Sequence, residues 1–331
     1  MIVTAQVTRW PPWQGIARDY DRAGRISGVA AVVLWSAGTV LVASLDMPGL
    51  QIAFWRVALG TVVYTAVFYM SGRRLTFVDL RRGGPAAVCF SLQLGVAFAA
   101  VKMTSVANVT TITALSPLVL MAVSAFRYRE SIIWRTTFAA VLAIAGVVMI
   151  TRGGSAAFAA TNLRGDLLAI LGMFLFALYF VTVKETREHL ETFTLQTITM
   201  IVGTVVLLPL AAVEAGSALF PIPTGSQFGW IALIVAVPGT GHFLMNWAHL
   251  HISLTISGLL TLGVPVLSAI GAWLILDQSL NAFQLIGMAI VLVSLVVIVL
   301  QQPDQRERVG GTPESPTSSD NTITGRGLVG R

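Results

Sequence analysis

Ten separate stretches of this chain stay apolar over about 20 residues, the length of helix that crosses a hydrocarbon core about 30 Å thick. They run Ile26 to Leu45, Gln51 to Met70, Pro85 to Met103, Ser105 to Phe126, Ile132 to Thr151, Gly165 to Val183, Thr194 to Val213, Gln227 to His249, Ile252 to Leu276 and Asn281 to Leu300. A segment facing lipid has to satisfy its own backbone hydrogen bonds, and these runs lack the alternation of barrel strands, so each reads as a helix. The expected fold is an all-α polytopic membrane protein with ten transmembrane helices. Only 11% of the residues are charged, against about one quarter in soluble domains. The single cysteine, Cys89, excludes an internal disulfide or a thiolate metal cluster and reads as a small packed residue.

A net charge of +6 would suggest nucleic acid as partner in a soluble protein, but in a membrane protein it reports topology. Of the 21 Arg and Lys residues, 17 fall on one side: in the N-terminal segment, after the second, fourth and sixth spans, and in the C-terminal tail. The other side holds Lys102, Arg152 and Arg164, and Arg56 lies within the second span. This imbalance predicts a multi-pass protein of the inner or plasma membrane with both termini in the cytoplasm. Residues 1–25 read as a cytoplasmic arm rather than a cleaved leader, and residues 301–331, rich in Gly, Ser, Thr and Pro, as a disordered cytoplasmic tail.

Two of the runs match. "TSVANVTTITALSPLV" and "LHISLTISGLLTLGVPVL" are both flecked with Ser and Thr, and each carries one proline, Pro117 or Pro265. Laying Pro117 on Pro265 also aligns "RYRES" with "ILDQS" and the apolar runs that follow, while "GRISGVAAVVLW" and "GDLLAILGMFLF" match as glycine-led openings of the first and sixth spans. The chain therefore divides into two five-span repeats, 26–151 and 165–300, joined by an extracytoplasmic linker at 152–164. Because five is odd, the second repeat enters the membrane from the opposite face, an arrangement found in secondary transporters whose central site lies between the halves.

These features together resemble the EamA-type branch of the drug/metabolite transporter superfamily, over about Gly24 to Leu300. Pro117 and Glu130 match the proline-containing run and acidic turn of that family, whereas the second copy has Asp277 and Gln278 where a glutamate is common. The resemblance implies a permease for small metabolites, often an exporter of amino acids or related compounds.

Polar groups at membrane depth are costly and mark a cavity or a partner helix. In the eighth span "VPGTGHFLMNWAHL" sets Pro238, Gly239 and Gly241 beside His242, which suggests a weakened or kinked helix. His242, Asn246 and His249 share a face, with His242 the candidate solute or proton contact. Gln93 holds a matching place in the third span, Asn108 lies in the fourth and Ser257 in the ninth. Each is a candidate for the cavity wall, and each also fits a bond to a neighbouring helix or to its own preceding turn. Trp35 and Tyr179 would bring aromatic surface to the same centre. Arg56 is shallow enough to snorkel outward or form a structural ion pair, and an anion contact is the alternative. Asp46, Glu130, Glu214 and Asp277 all lie near span ends, so no carboxylate stands at mid-membrane for ion coupling.

No phosphate-binding loop, H-E-x-x-H or G-x-S-x-G occurs in the chain. The expectation is a carrier of small molecules without cofactor, metal or nucleic-acid partner. An integral membrane enzyme acting on lipid, or a scaffold or sensor, is the competing reading.

Overall fold

The structure, a computed structural model, describes residues 12–104, 106–129, 134–153, 162–216, 221–276 and 280–301. The terminal segments 1–11 and 302–331, most of the linker, and the turn residues Glu130, Asp277 and Gln278 lie outside the described residues.

The described residues form twelve helices and no strands: α1 (Pro12–Ser44), α2 (Gly49–Met70), α3 (Phe77–Met103), α4 (Val106–Thr113), α5 (Ser116–Tyr128), α6 (Trp134–Gly153), α7 (Leu163–Arg187), α8 (Thr192–Ala215), α9 (Gly225–Ala248), α10 (Leu254–Leu260), α11 (Gly263–Leu276) and α12 (Ala282–Gln301). Among them nine segments are long and apolar enough to cross a membrane, with α4–α5 and α10–α11 each counting as one, and α12 adds a shorter apolar stretch, Ala282–Ile298. Val62, Phe138, Val205 and Val293 stand exposed on outer faces, as suits a bundle whose surroundings are acyl chains. Helix α1 starts at Pro12, so part of the segment read as an arm continues the first span.

Helix starts repeat between the halves. Thr76 opens α3 with a capping box, accepting from the Asp79 amide at 3.2 Å while Asp79 accepts from the Thr76 amide at 3.1 Å. Thr224 and Gln227 do the same at α9, at 3.4 and 2.9 Å. The register that lays Pro265 on Pro117 also lays Thr224 on Thr76.

Packing carries the same two-fold relation. Helix α1 lies along α9, and its counterpart α7 lies along α3. Helix α2 packs on α8, a pair that the relation maps onto itself, and the fourth and ninth spans meet through α5 and α10. The glycines that lead the repeats make equivalent contacts. A Cβ on Gly24 would stand 2.7 Å from His251 Cβ at the turn after α9, and one on Gly165 would stand 2.7 Å from Thr104 Cβ at the turn after α3. Only a residue without a side chain lets these helices close on those turns. The α6 and α12 backbones also touch: a Cβ on Gly146 would lie 2.7 Å from the Gly287 carbonyl oxygen, and one on Gly287 2.6 Å from that of Gly146.

The fourth and ninth spans are broken at matching places. Helix α4 ends at Thr113 and α5 begins at Ser116; α10 ends at Leu260 and α11 begins at Gly263. Pro117 and Pro265 lie in the first turns of α5 and α11, where a missing N–H costs no helical bond. The eighth span is not interrupted: α9 runs continuously through Pro238, Gly239 and Gly241. The breaks fall at Pro117 and Pro265, the other two prolines expected to bend their spans. Gly241 is required for another reason, since a Cβ there would lie 2.8 Å from Trp35 Cδ1 and 3.0 Å from the Ala31 carbonyl oxygen.

Candidate functional site

A cavity of about 220 Å³ lies where α1, α3, α7 and α9 meet the two broken spans. It reaches Val42 and Val101, close to the ends of α1 and α3. Its walls are mostly apolar, with Trp35, Phe98 and Phe176 as the aromatic surface and Arg56, Gln93 and His242 as polar groups.

Arg56 belongs to a face of α2, with Ile52, Ala53 and Gly60, that is buried within the bundle. The side chain therefore cannot snorkel: Arg56 is 3% exposed, and its guanidinium lies 5.7 Å from the centroid of the Phe98 ring. The alternative of a structural ion pair is also not met, because no carboxylate among the described residues pairs with it. A buried charge without a partner costs several kcal/mol even after relaxation. Its polar contact is Nη2 to His242 Nδ1 at 3.3 Å.

His242 sits on α9 with its ring 4.8 Å from Trp35 and 5.1 Å from Phe90, centroid to centroid. The Trp35 indole N–H reaches Nδ1 at 2.8 Å, and the Pro238 carbonyl oxygen lies 2.8 Å from the same nitrogen. Indole and guanidinium can only donate, so a lone pair on Nδ1 serves both, whereas a proton there would serve the Pro238 carbonyl alone. His242 is thus bound into the wall through Trp35 and Arg56. Gln93 Oε1 has no hydrogen-bond partner.

The breaks contribute hydroxyl groups that the sequence reading passed over. Thr113 and Ser116 line the cavity from the first repeat and Thr261 from the second, beside Pro265. Thr113 and Thr261 each stand four residues before a proline, a repeated spacing that could have revealed them.

Other candidates lie elsewhere. Tyr179 and Asn246 are fully buried and do not reach the cavity wall; the Tyr179 hydroxyl donates to Asn246 Oδ1 at 2.7 Å, and Asn246 Nδ2 donates to Gln196 Oε1 at 3.0 Å. This chain ties α7, α9 and α8 together beside the cavity. Asn108 Nδ2 donates to Asp166 Oδ1 at 3.2 Å, joining α4 to α7. Ser257 donates to the Ser253 carbonyl of its own helix at 3.0 Å. Pro117 packs near Gly258 and is absent from the wall, whereas Pro238 and Pro265 are part of it.

Two five-span repeats wrapped around an internal cavity define a multi-pass membrane transporter. The chain belongs to the EamA-like transporter family, which matches it twice, over residues 22–152 and 163–300. It is 28% identical over 200 residues to an uncharacterized transporter, YetK, of Bacillus subtilis (strain 168), a match covering 58% of this chain and 60% of that protein. A solved crystal structure superposes with a TM-score of 0.70 at 18% identity, covering 84% of this chain and 97% of that one, which establishes likeness of fold.

Proposed function

We propose that the protein carries small metabolites, such as amino acids or related amphipathic compounds, by alternating access around the cavity between its repeats. The observation that carries this reading is the cavity itself: apolar walls with a few convergent polar groups, placed where both proline breaks and both repeats meet.

The mechanism follows from the pseudo-symmetry. Beyond the cavity, the end of the bundle bearing the α2–α3 connection is closed by contacts between the halves. Arg127 of α5 meets Glu185 of α7 at 3.2 Å, Arg73 meets Glu191 at 2.6 Å, and the Tyr20 ring stacks on His251 at 5.5 Å. At the opposite end Thr104 donates to Asp166 at 2.7 Å and Gln227 Nε2 donates to the Asp46 carbonyl at 3.1 Å. Exchanging the conformations of two inversely related repeats turns one closed end into the other, so a solute held at the breaks meets each side in turn.

The arginine distribution supports a cytoplasmic α2–α3 end in an inner or plasma membrane, an orientation in which the cavity approaches the outer side. Export as the physiological direction is the reading favoured by the family resemblance. No carboxylate lines the cavity among the described residues, which favours facilitated movement or solute exchange over coupling through a mid-membrane acid.

Reconstitution into proteoliposomes, with counterflow measured against a metabolite panel, tests the proposal. Saturable, protein-dependent movement of at least one small solute is expected. Failure of every solute to move, in vesicles holding folded protein, would overturn it.

A further inference from the structure

We infer that the cavity is built for an organic monoanion, a carboxylate on a compact apolar body whose charge is held by Arg56. This inference rests on reading the cavity as the transport site, and it narrows the solute from amphipathic metabolites in general to those lacking a compensating ammonium group.

The charge balance of the wall is the first argument. Arg56 keeps its proton at any physiological pH, is 3% exposed, and stands on the cavity wall. Carboxylates of the described spans and their ends are engaged elsewhere: Asp166 takes Thr104 and Asn108, Glu214 takes the Gln51 amide, and Glu185 and Glu191 pair with Arg127 and Arg73. The guanidinium has five N–H groups in a planar fork and, apart from the Phe98 ring face, one polar contact, 3.3 Å from His242 Nδ1. A carboxylate entering the cavity would supply both the missing countercharge and a fork-matched pair of acceptors.

The broken fourth span adds to the same sign. Helix α5 opens at Ser116 on the wall with no side-chain cap from Leu115, so the positive end of its dipole lies at the cavity, while Pro117 carries no N–H and the Leu118 amide already donates to the Leu115 carbonyl at 3.0 Å. Three of the carbonyls that end α4 already accept a hydrogen bond. Thr110 accepts from the Ala114 amide at 3.0 Å, Ile112 from the Leu115 amide at 3.1 Å, and Thr113 from the Ser116 hydroxyl at 2.6 Å. An ammonium group would meet no acid side chain on this wall among the described residues.

Size and shape set the rest of the solute. The volume of about 220 Å³ equals about seven waters' share of liquid, room for a body of on the order of ten non-hydrogen atoms. Trp35, Phe98 and Phe176 give that body a flat apolar surround.

Titration calorimetry on the full-length protein in nanodiscs, with phenylacetate, phenylacetamide and phenylalanine as probes, separates the charge classes. Phenylacetate is expected to bind at least about tenfold more tightly than the other two, a difference of about 1.4 kcal/mol. Arg56→Gln should abolish the preference for acid over amide, and Arg56→Lys should keep part of it. Equal binding of acid and amide by the unmodified protein, phenylalanine as the tightest ligand, or no binding of phenylacetate would each overturn the assignment, as would a preference that survives in Arg56→Gln. If Arg56→Gln does not fold, the comparison of probes on the unmodified protein and on Arg56→Lys still decides. Counterflow in vesicles distinguishes the two levels. Movement of neutral or zwitterionic solutes without a carboxylate preference overturns this inference and spares the transport reading. Arg56-dependent phenylacetate binding in a protein that moves nothing does the reverse.

Discussion

His242 and Asn246 lie one helical turn apart on α9, yet the structure assigns them to different tasks. His242 stands on the cavity wall, bonded by Trp35 at 2.8 Å, while Asn246 is sealed into the chain Tyr179–Asn246–Gln196. His249, a further turn along, is 1% exposed and packs its ring 4.5 Å from that of Phe180. The i, i+4, i+7 spacing made their common face legible, but a face carries no depth, and which turn meets a void depends on helices far away in sequence. Arg56 escaped for a similar reason: its position within the second span was plain, whereas the buried direction of its face is set by α3 and α9. The separation predicts different consequences of substitution. Tyr179→Phe removes the donor to Asn246 and should cost about 1–3 kcal/mol in thermal unfolding, with solute affinity in calorimetry unchanged. His242→Ala removes the acceptor shared by Trp35 and Arg56 and should weaken solute binding about tenfold, as charge-assisted contacts of this kind contribute about 1.5–3 kcal/mol. Gly241→Ala would set a methyl group against Trp35 and the α1 backbone, with an expected loss of about 1–3 kcal/mol in melting experiments.

At the scale of helices, proline accompanies a break in two spans and none in a third. Pro238 sits within an unbroken α9, which α1 braces along its length. The breaks come just before Pro117 and Pro265, where the freed carbonyls find other donors: Thr113 accepts from the Ser116 hydroxyl at 2.6 Å and Thr261 from the Val264 amide at 3.0 Å. The local residues T-x-x-S-P and T-x-x-x-P contained this information, since proline withholds the N–H that the carbonyl four residues earlier would otherwise receive. What could not be read locally is that α5 and α10 cross at Gly258, whose Cβ would meet Leu120 Cδ1 at 2.7 Å. Replacing both prolines with alanine restores the two N–H groups and should let each span close into one helix. The double variant Pro117→Ala/Pro265→Ala is expected to retain its fold and to show slower amide exchange at residues 114–118 and 262–266. Its counterflow rate should fall at least about tenfold, through loss of the flexible joint. An unchanged rate would remove the breaks from the mechanism.

For the molecule as a whole, the repeat was readable from the matched prolines and glycine-led openings, whereas the partnering of helices was not. The contacts that build the core join the halves: α1 with α9, α3 with α7, α2 with α8, α5 with α10. A chain cut between residues 153 and 162 should therefore give neither half alone as a stable species, but an active carrier when the two are produced together. Recovery of either half by itself, folded and monodisperse, would contradict this. The touching backbones of Gly146 and Gly287 lead to one more consequence. Because the pseudo-two-fold pairs α6 with α12, any side chain gained by either glycine is felt by both halves, and a methyl group on one cannot be offset by trimming the other. Two stretches of sequence that otherwise drift apart are thus bound to vary together at this point.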